Sequence, residues 1–325
     1  MSQARLTVIM PVCNGEPFVA SAIKSVLNQT FKKFELWVLE NGSVDRTAEI
    51  VRSITDPRLK LFELGPVGVQ GALQYALENA STEWLARMDA DDLMFPNRLE
   101  TQIKFIRHNP KVVFVGTAYA QLTPFNHMFE RVLTSGSREV TKSLLATMKR
   151  FFADPSIVFN RLAALDAGGA DLEFTNIDGV PLLFRLLTRG TGWEIPEPLH
   201  VYRLRPHSLS KTKEHDRQTH LVRLKYAPES VAAAPKNSVP YSFWEQIAGL
   251  EVIGGDRKSA RLAAYYMKQE GPFRSEANRM IARSLLGPVG RMYYSWRTRQ
   301  RYRHRPDWEN LFAPLLRPEY QAFAA

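Results

Sequence analysis

Four short apolar runs, Leu6–Met10, Leu36–Leu39, Leu59–Phe62 and Trp84–Met88, each of strand length and each ending in a polar loop, constrain the first part of the chain more than any other feature. Leu6–Met10 stops at Pro11 and reads as a buried parallel strand. Between the first two runs, Val19, Ala22, Ile23 and Val26 recur at i, i+3, i+4 and i+7, the stripe of a helix packed on a sheet. Ala48, Val51 and Ile54 mark a second helix, with Ser43 or Asp45 as its candidate cap, and Gly71–Ala80 reads as a third. This alternation predicts an α/β fold with a mostly parallel sheet flanked by helices, whose ligands lie outside the C-terminal strand ends. The loops Asn14–Glu16, Glu40–Ser43 and Asp89–Asp92 are therefore expected to collect on one edge.

The last of these loops carries the most chemistry. Trp84–Met88 runs directly into Asp89, Ala90, Asp91 and Asp92. In an extended backbone residues i and i+2 point the same way, so Asp89 and Asp91 would face one small volume from about 6.6 Å apart. Magnesium-like ions take few protein carboxylates and complete their shell with water and phosphate oxygens, so paired acids at an open strand end suffice. Taken alone, such a string also reads as a turn with a helix cap.

Other phosphate-binding devices are missing. No Gly-x-Gly-x-x-Gly follows the first strand and no Gly-Lys-Ser or Gly-Lys-Thr stands in a phosphate-loop context, which argues against dinucleotide oxidoreductases and P-loop phosphotransferases. A cation rather than a glycine cradle is expected to hold phosphate. The single cysteine, Cys13, excludes an internal disulfide, and the lack of Cys and His clusters speaks against structural zinc. Cys13 itself reads as a small residue at a strand end, with a nucleophile as the alternative. At 325 residues, 45% hydrophobic, the chain can bury a large core. It contains neither a signal-peptide pattern nor an apolar run long enough to span a bilayer, so a cytoplasmic location is expected.

The runs Val8–Glu16, Ser25–Phe31, Glu40–Asp45 and Ala86–Asp92 together resemble family 2 glycosyltransferases of the GT-A fold. The likeness covers roughly the first two-thirds of the chain, and four motifs in order are more specific than any one. The resemblance implies an inverting transferase that takes sugar from a nucleotide-sugar donor, most often a UDP-sugar, with Mg2+ or Mn2+. By the same resemblance Pro11, Val12, Asn14 and Glu16 line the nucleotide, Glu40 and Asn41 meet the base, Asp89 and Ala90 stand at the ribose or phosphate side, and Asp91 with Asp89 holds the metal. The sequence also departs from the family pattern. Many relatives have two acids at Glu40 and Asn41, an Asn at Gln74, a Gly at Thr82, and a His at Asp154 before Pro155.

Val112–Gly116 and Ile157–Asn160 read as further strands, and the polar stretch Tyr119–Arg150 between them is expected to contribute to the acceptor wall. Where relatives carry a Glu-Asp pair at a helix start, this chain has Asn176, Ile177, Asp178, Gly179, Val180 and Pro181. An inverting transfer needs a base on the acceptor hydroxyl, and Asp178 is the candidate; the alternative is that it only caps the following helix. His207 reads either as a surface residue or as a shifted replacement for a family His. Arg203 and Arg205 either stabilise the departing diphosphate or decorate a loop.

With 43 basic and 33 acidic residues the net charge is +10, which favours anionic partners. Arg291, Arg297, Arg299, Arg301, Arg303 and Arg305 concentrate that charge near the end, beside the stripe Val289, Met292, Tyr293 and Trp296. Such a segment suits an anionic membrane surface, or docks on the preceding helices, where Ala260, Ala263, Ala264 and Met267 form a small-residue stripe. No nucleic-acid-binding motif accompanies the charge, and no nucleic acid partner is expected. The expected layout is a GT-A domain over 1–212 and a helical, basic C-terminal extension over 213–325. The expected activity is sugar transfer to a glycan or lipid-linked acceptor in bacterial surface polysaccharide synthesis, on the inner membrane face. The rival reading is a nucleotide-sugar-binding subunit that does not catalyse.

Overall fold

A computed structural model of the chain describes residues 6–131, 133, 136–146, 152–174, 177, 179–205, 213–228, 246–248, 250–251, 256, 258–261, 263–264 and 302–316. In chain order the elements are β1 (Leu6–Val12), α1 (Val19–Leu27), β2 (Phe34–Glu40), α2 (Thr47–Arg52), β3 (Leu59–Glu63), α3 (Gly68–Asn79), β4 (Trp84–Arg87), β5 (Leu93–Met94), α4 (Arg98–His108) and β6 (Val112–Leu122). There follow β7 (Met128–Arg131), β8 (Arg138–Val140), α5 (Lys142–Ala146), β9 (Val158–Asn160), α6 (Arg161–Asp166), α7 (Val180–Leu186), β10 (Thr191–Arg203), α8 (Lys213–Tyr226), β11 (Tyr302–His304) and α9 (Pro306–Phe312).

The chain forms two compact units. The first comprises residues 1–119, 135–202 and 209–234, the second 120–134, 203–208 and 235–325. In the first, the strands lie in the order β3-β2-β1-β4-β9-β6. β1 is parallel to both β2 and β4, and β2 to β3, whereas β9 runs antiparallel to β4 and to β6. The sheet is thus mostly parallel and flanked by helices. Its central strands are apolar on both faces. Ile9, Trp37, Leu39 and Leu85 pack with α3 and α7 in one core, while Val8, Met10, Val38 and Ala86 pack with α1 and α4 in the other. Burial on both sides explains why these runs are continuously hydrophobic rather than alternating.

The expected helices and strands are found, with shifted ends. α3 starts at Gly68, three residues before the expected Gly71, because Gly68 adopts φ +72, a left-handed value open to glycine, and carries the chain into the helix. β6 continues past Gly116 to Leu122. α8 lies within the first unit, although the sequence reading assigns it to the extension.

The second unit holds the far end of β6, then β7 and β11, all antiparallel, with Tyr302 opposite Arg131 and Ala120 opposite Glu130. β11 corrects the expectation of a helical extension after Lys213 without strands. Its sequence, Tyr302, Arg303 and His304, has little strand signature; pairing with β7 decides its conformation. Arg305 pairs with Glu130 at 2.7 Å and Glu309 accepts the Met128 N–H at 2.9 Å, fixing α9 beside β7. Fully buried Glu251 accepts from Thr123 Oγ1 at 2.8 Å and contacts His127 Nδ1 at 2.7 Å, and this contact raises the imidazole pKa. Ala260, Ala263 and Ala264 are buried as the small-residue stripe suggests. Met267 and the stripe Val289–Trp296, with Arg291, Arg297, Arg299 and Arg301, lie outside the described residues. Among the described residues no helix is long and apolar enough to cross a membrane.

Gly192 of β10 shows how tightly the first unit is packed. A Cβ there would lie 2.0 Å from Cζ of the fully buried Phe114. Gly192→Ala is therefore expected to cost about 1–3 kcal/mol through overpacking, seen as a lower urea midpoint with an unchanged slope. An unchanged midpoint would mean that the Phe114 ring moves aside without strain.

Candidate functional site

The parallel strands β1, β2 and β4 end on one edge, and the loops that leave them are laced together. Asn14, at φ +53, donates its N–H to Ser43 Oγ at 2.9 Å and accepts the Val44 N–H on Oδ1 at 2.9 Å. Gly15 N–H reaches Thr47 Oγ1 at 2.8 Å, and Glu16 N–H reaches Asp45 Oδ2 at 3.0 Å. Asp45 also accepts the N–H of Thr47 at 3.0 Å. Burial opposes the charge of Asp45, but the Thr47 hydroxyl and the N–H groups of Glu16 and Thr47 outweigh it and hold the carboxyl below the usual range. Neither expected cap holds the N-cap position of α2, which is Arg46 without a side-chain cap bond; Asp45 binds the Thr47 N–H from one residue earlier, and Ser43 turns to the β1 loop.

This lacing places the predicted nucleotide residues side by side. Val12 is buried and its carbonyl accepts the Asn41 N–H at 2.8 Å; Pro11 is half-buried opposite Leu39. The Glu40 carboxylate is buried and accepts the Ser43 N–H. Asn41 Oδ1 accepts the Gly68 N–H at 2.9 Å, so its carbonyl is committed to the protein. Glu16 binds Arg46 through Nε at 2.8 Å, and that hydrogen bond lowers its pKa. Cys13 is exposed, and burial of its sulfur, with Glu40 and Asp45 nearby, raises the thiol pKa. A raised pKa disfavours the thiolate that nucleophilic attack would need.

The acids converge, by a different geometry from the extended one expected. β4 ends at Arg87, and the Asp92 N–H returns to the Asp89 carbonyl at 3.3 Å, so Asp89–Asp92 is a turn. Turning rather than alternation brings carboxylate oxygens of Asp89, Asp91 and Asp92 within 4.8 Å of one another. Ala90, within the turn, is buried. Three oxygen donors of this kind fit a hard divalent cation such as Mg2+ or Mn2+. The Met88 N–H binds the Ile9 carbonyl at 3.0 Å, which starts the turn beside β1.

Ser25–Phe31 proves to be a brace for this turn. Ser25 Oγ accepts the Met94 N–H at 3.2 Å, and Gln29 donates to the Phe95 carbonyl at 2.7 Å and accepts the Leu99 N–H at 3.0 Å. The segment that follows the acids is thereby pinned to the end of α1.

Behind the acids lies a buried polar group that sequence reasoning missed. Arg98, fully buried at the start of α4, donates to the carbonyls of Arg87 and Pro155, each at 2.9 Å, and to Gln102 Oε1 at 3.1 Å. Its Nη1 lies 3.1 Å from Nδ1 of His200, whose Nε2 lies 2.8 Å from Asp92 Oδ2. Burial pulls the guanidinium pKa down to about 9, partly offset by Asp92 and Asp89, so it remains charged at neutral pH. Burial, then Arg98 and Arg87, push the His200 imidazole well below its ordinary value. The only sequence signal was the Arg98 and Gln102 pair at i, i+4 on an apolar helix face; His200 is too distant in the chain to be linked to Asp92.

Asp178 and His207 lie outside the described residues. The neighbours of position 178 do not. The Ile177 carbonyl accepts Gln70 Nε2 at 2.7 Å, and a Cβ on Gly179, the N-cap of α7, would lie 2.8 Å from Arg87 Nη1. Arg87 in turn lies 3.5 Å from Asp89. Asp154 opens a short 3-10 turn through Ser156. Arg203 is buried at the end of β10, which removes the reading of loop decoration, and Arg205 follows it half-buried. Two departures from the family pattern have local partners. Thr82 Oγ1 pairs with Thr7 Oγ1 at 2.8 Å, and Gln74 accepts the Ala170 N–H at 2.9 Å.

Residues 7–168 match the family model described as glycosyl transferase family 2. The O-antigen biosynthesis glycosyltransferase WbnJ of Escherichia coli is 29% identical over 213 residues, covering 64% of this chain and 82% of that protein. Against several other curated relatives, the chain spans from 20% to 50% of their length. Among solved structures, S. aureus TarS 1-349 in complex with UDP-GlcNAc shares the fold at a TM-score of 0.54 and 16% identity, over 90% of this chain and 92% of that one. The mannosyltransferase PcManGT of Pyrobaculum calidifontis, in complex with GDP-Man and Mn2+, does so at 0.50 and 18%, over 91% and 84%.

Proposed function

We propose, for a chain that belongs to glycosyl transferase family 2 through its residues 7–168, metal-dependent transfer of a sugar from a nucleotide-diphosphate donor, with inversion, to a glycan or lipid-linked acceptor of a bacterial surface polysaccharide. The observation that carries this reading is the convergence of three carboxylates at the exit of β4, beside the laced loops of β1 and β2. Asp89, Asp91 and Asp92 would hold Mg2+ or Mn2+, which when bound neutralises charge on a diphosphate. Pro11, Val12, Asn14, Glu16, Glu40 and Asn41 form the nucleotide wall, with Ala90 of the acid turn at the ribose or phosphate side. UDP-GlcNAc in TarS and Mn2+ in PcManGT support a nucleotide-sugar and a divalent ion, and the role of WbnJ supports the polysaccharide setting.

Calorimetric titration of UDP, with Mn2+ and with EDTA, tests the donor half. Asp91→Asn is expected to weaken Mn2+-dependent binding by at least roughly tenfold, and equal affinity of the parent with and without EDTA would overturn the cation reading.

In the proposed reaction Asp178 accepts the proton of the acceptor hydroxyl. The acceptor oxygen then forms a bond to the anomeric carbon while the bond to the diphosphate breaks, releasing the nucleoside diphosphate. The bond from Gln70 to the Ile177 carbonyl, and the Arg87 guanidinium close beside Gly179, support a base in this segment. Asp178→Asn is expected to melt and bind donor like the parent yet transfer sugar about 100- to 10,000-fold more slowly. Undiminished transfer would move the base elsewhere, with Asp154 next to test. A parent that binds donor but neither transfers nor hydrolyses it would favour the non-catalytic binding subunit.

The basic, aromatic end supports a further part of the reading, attachment at an anionic membrane surface on the cytoplasmic side. Each arginine near such a surface contributes on the order of 1 kcal/mol. Replacing Arg291, Arg297 and Arg299 with serine should release the protein from anionic vesicles at low salt; unchanged co-sedimentation would argue for a packing role.

A further inference from the structure

Asp92 differs from the other two acids of the turn. Its side chain is 1% exposed, against 28% for Asp89. A carboxylate stripped of water in this way needs donors that face it from the protein, and a buried acid held by directional bonds cannot swing as an exposed one does. His200 provides such a donor at 2.8 Å.

Which ring nitrogen carries the proton follows from the groups around it. A guanidinium has only hydrogens to offer, so His200 Nδ1, 3.1 Å from Arg98 Nη1, must accept. The ring proton then resides on Nε2 and points at Asp92. Arg98 is held in turn by the Arg87 and Pro155 carbonyls and by Gln102, and Gln102 donates to the carbonyls of Val115 and Ser156, each at 2.8 Å. His200 itself stands on β10 opposite Met94 of β5, two residues beyond Asp92. The direction of the Asp92 carboxylate is thus set by a chain of bonds anchored in four separate segments.

We propose that His200, oriented by Arg98, is a positioning residue of the acid turn that presets the Asp92 carboxylate for the cation. This role rests on the cation reading given above. A histidine that only filled space could be replaced by leucine without changing how the acids meet a metal. A positioning histidine could not, and glutamine, which can also accept from Arg98 and donate to Asp92, should restore much of the effect.

The experiment measures the Mn2+ concentration at half-maximal UDP binding in the full-length parent, His200→Leu and His200→Gln, with a melting curve for each. Loss of a group that orients a metal ligand typically costs about 10- to 100-fold in metal affinity, so His200→Leu should shift half-saturation upward by that factor while His200→Gln stays within about threefold of the parent. Parent-like Mn2+ dependence in folded His200→Leu, or equal shifts in both variants, would overturn the role while leaving the cation site standing. UDP binding by the parent that ignores Mn2+ would remove the cation site and this role together. Should His200→Leu fail to fold, the imidazole 15N shifts of the parent at pH 7 decide: a proton on Nε2 alone supports the assignment, and a proton on Nδ1 refutes it.

Discussion

The buried guanidinium of Arg98 joins the end of β4, the segment before β9 and the later part of β10, and the acid turn depends on that junction. Stripping a guanidinium of water is costly, and replacing such a group by well-packed apolar side chains is often no loss in stability. What an apolar residue could not do is satisfy the Arg87 and Pro155 carbonyls and an imidazole nitrogen at once. The first two are backbone groups with no sheet partner in those bonds, and leaving either buried and unpaired costs about 1–3 kcal/mol. The guanidinium is therefore an organising group. Its planar fork has enough donors, in fixed directions, to hold three segments in register.

The loop edge is built on the same principle with weaker bonds. Asn14 in its left-handed conformation, Gly15, Glu16, Ser43, Asp45 and Thr47 exchange hydrogen bonds between the β1 and β2 loops. These bonds hold the two polar loops in one arrangement, and pre-organisation of that kind lowers the entropic cost of binding. Chemical specificity enters through what remains uncommitted. Asn41 gives its carbonyl to Gly68, so a base that meets this side chain meets its amide hydrogens, a different offer from the second acid that stands there in many relatives.

Much of the loop edge was legible because it is local. Continuous apolar runs gave the strands, 3.6-residue stripes gave α1, and strand exits located the polar loops. Elsewhere the structure departs from the local pattern, through a tight turn at the acids and through pairing with distant segments in the other cases. Asp89 and Asp91 were expected to face one volume through strand alternation, but β4 ends at Arg87 and a turn gathers the acids, adding Asp92. The Ser25–Phe31 motif is a brace across to Met94, Phe95 and Leu99, a role invisible without the partner segment. β11 exists because β7 offers an edge, and nothing in Tyr302–His304 announces it.

By itself the sequence determined which residues can carry charge at the strand exits, which faces of the strands and helices must be buried, and that phosphate has no glycine cradle to rest in. These follow from covalent periodicity, from side-chain chemistry and from the cost of exposing apolar surface. Only the tertiary structure decided that Asp92 joins the acids, that His200 presents its Nε2 proton to it, and that Arg98 sets that tautomer. Asp92 and His200 are 108 positions apart. A hydrogen bond across that separation depends on the pairing of β10 with β5, and strand pairing between distant segments is settled by the packing of the whole sheet, not by the residues that pair.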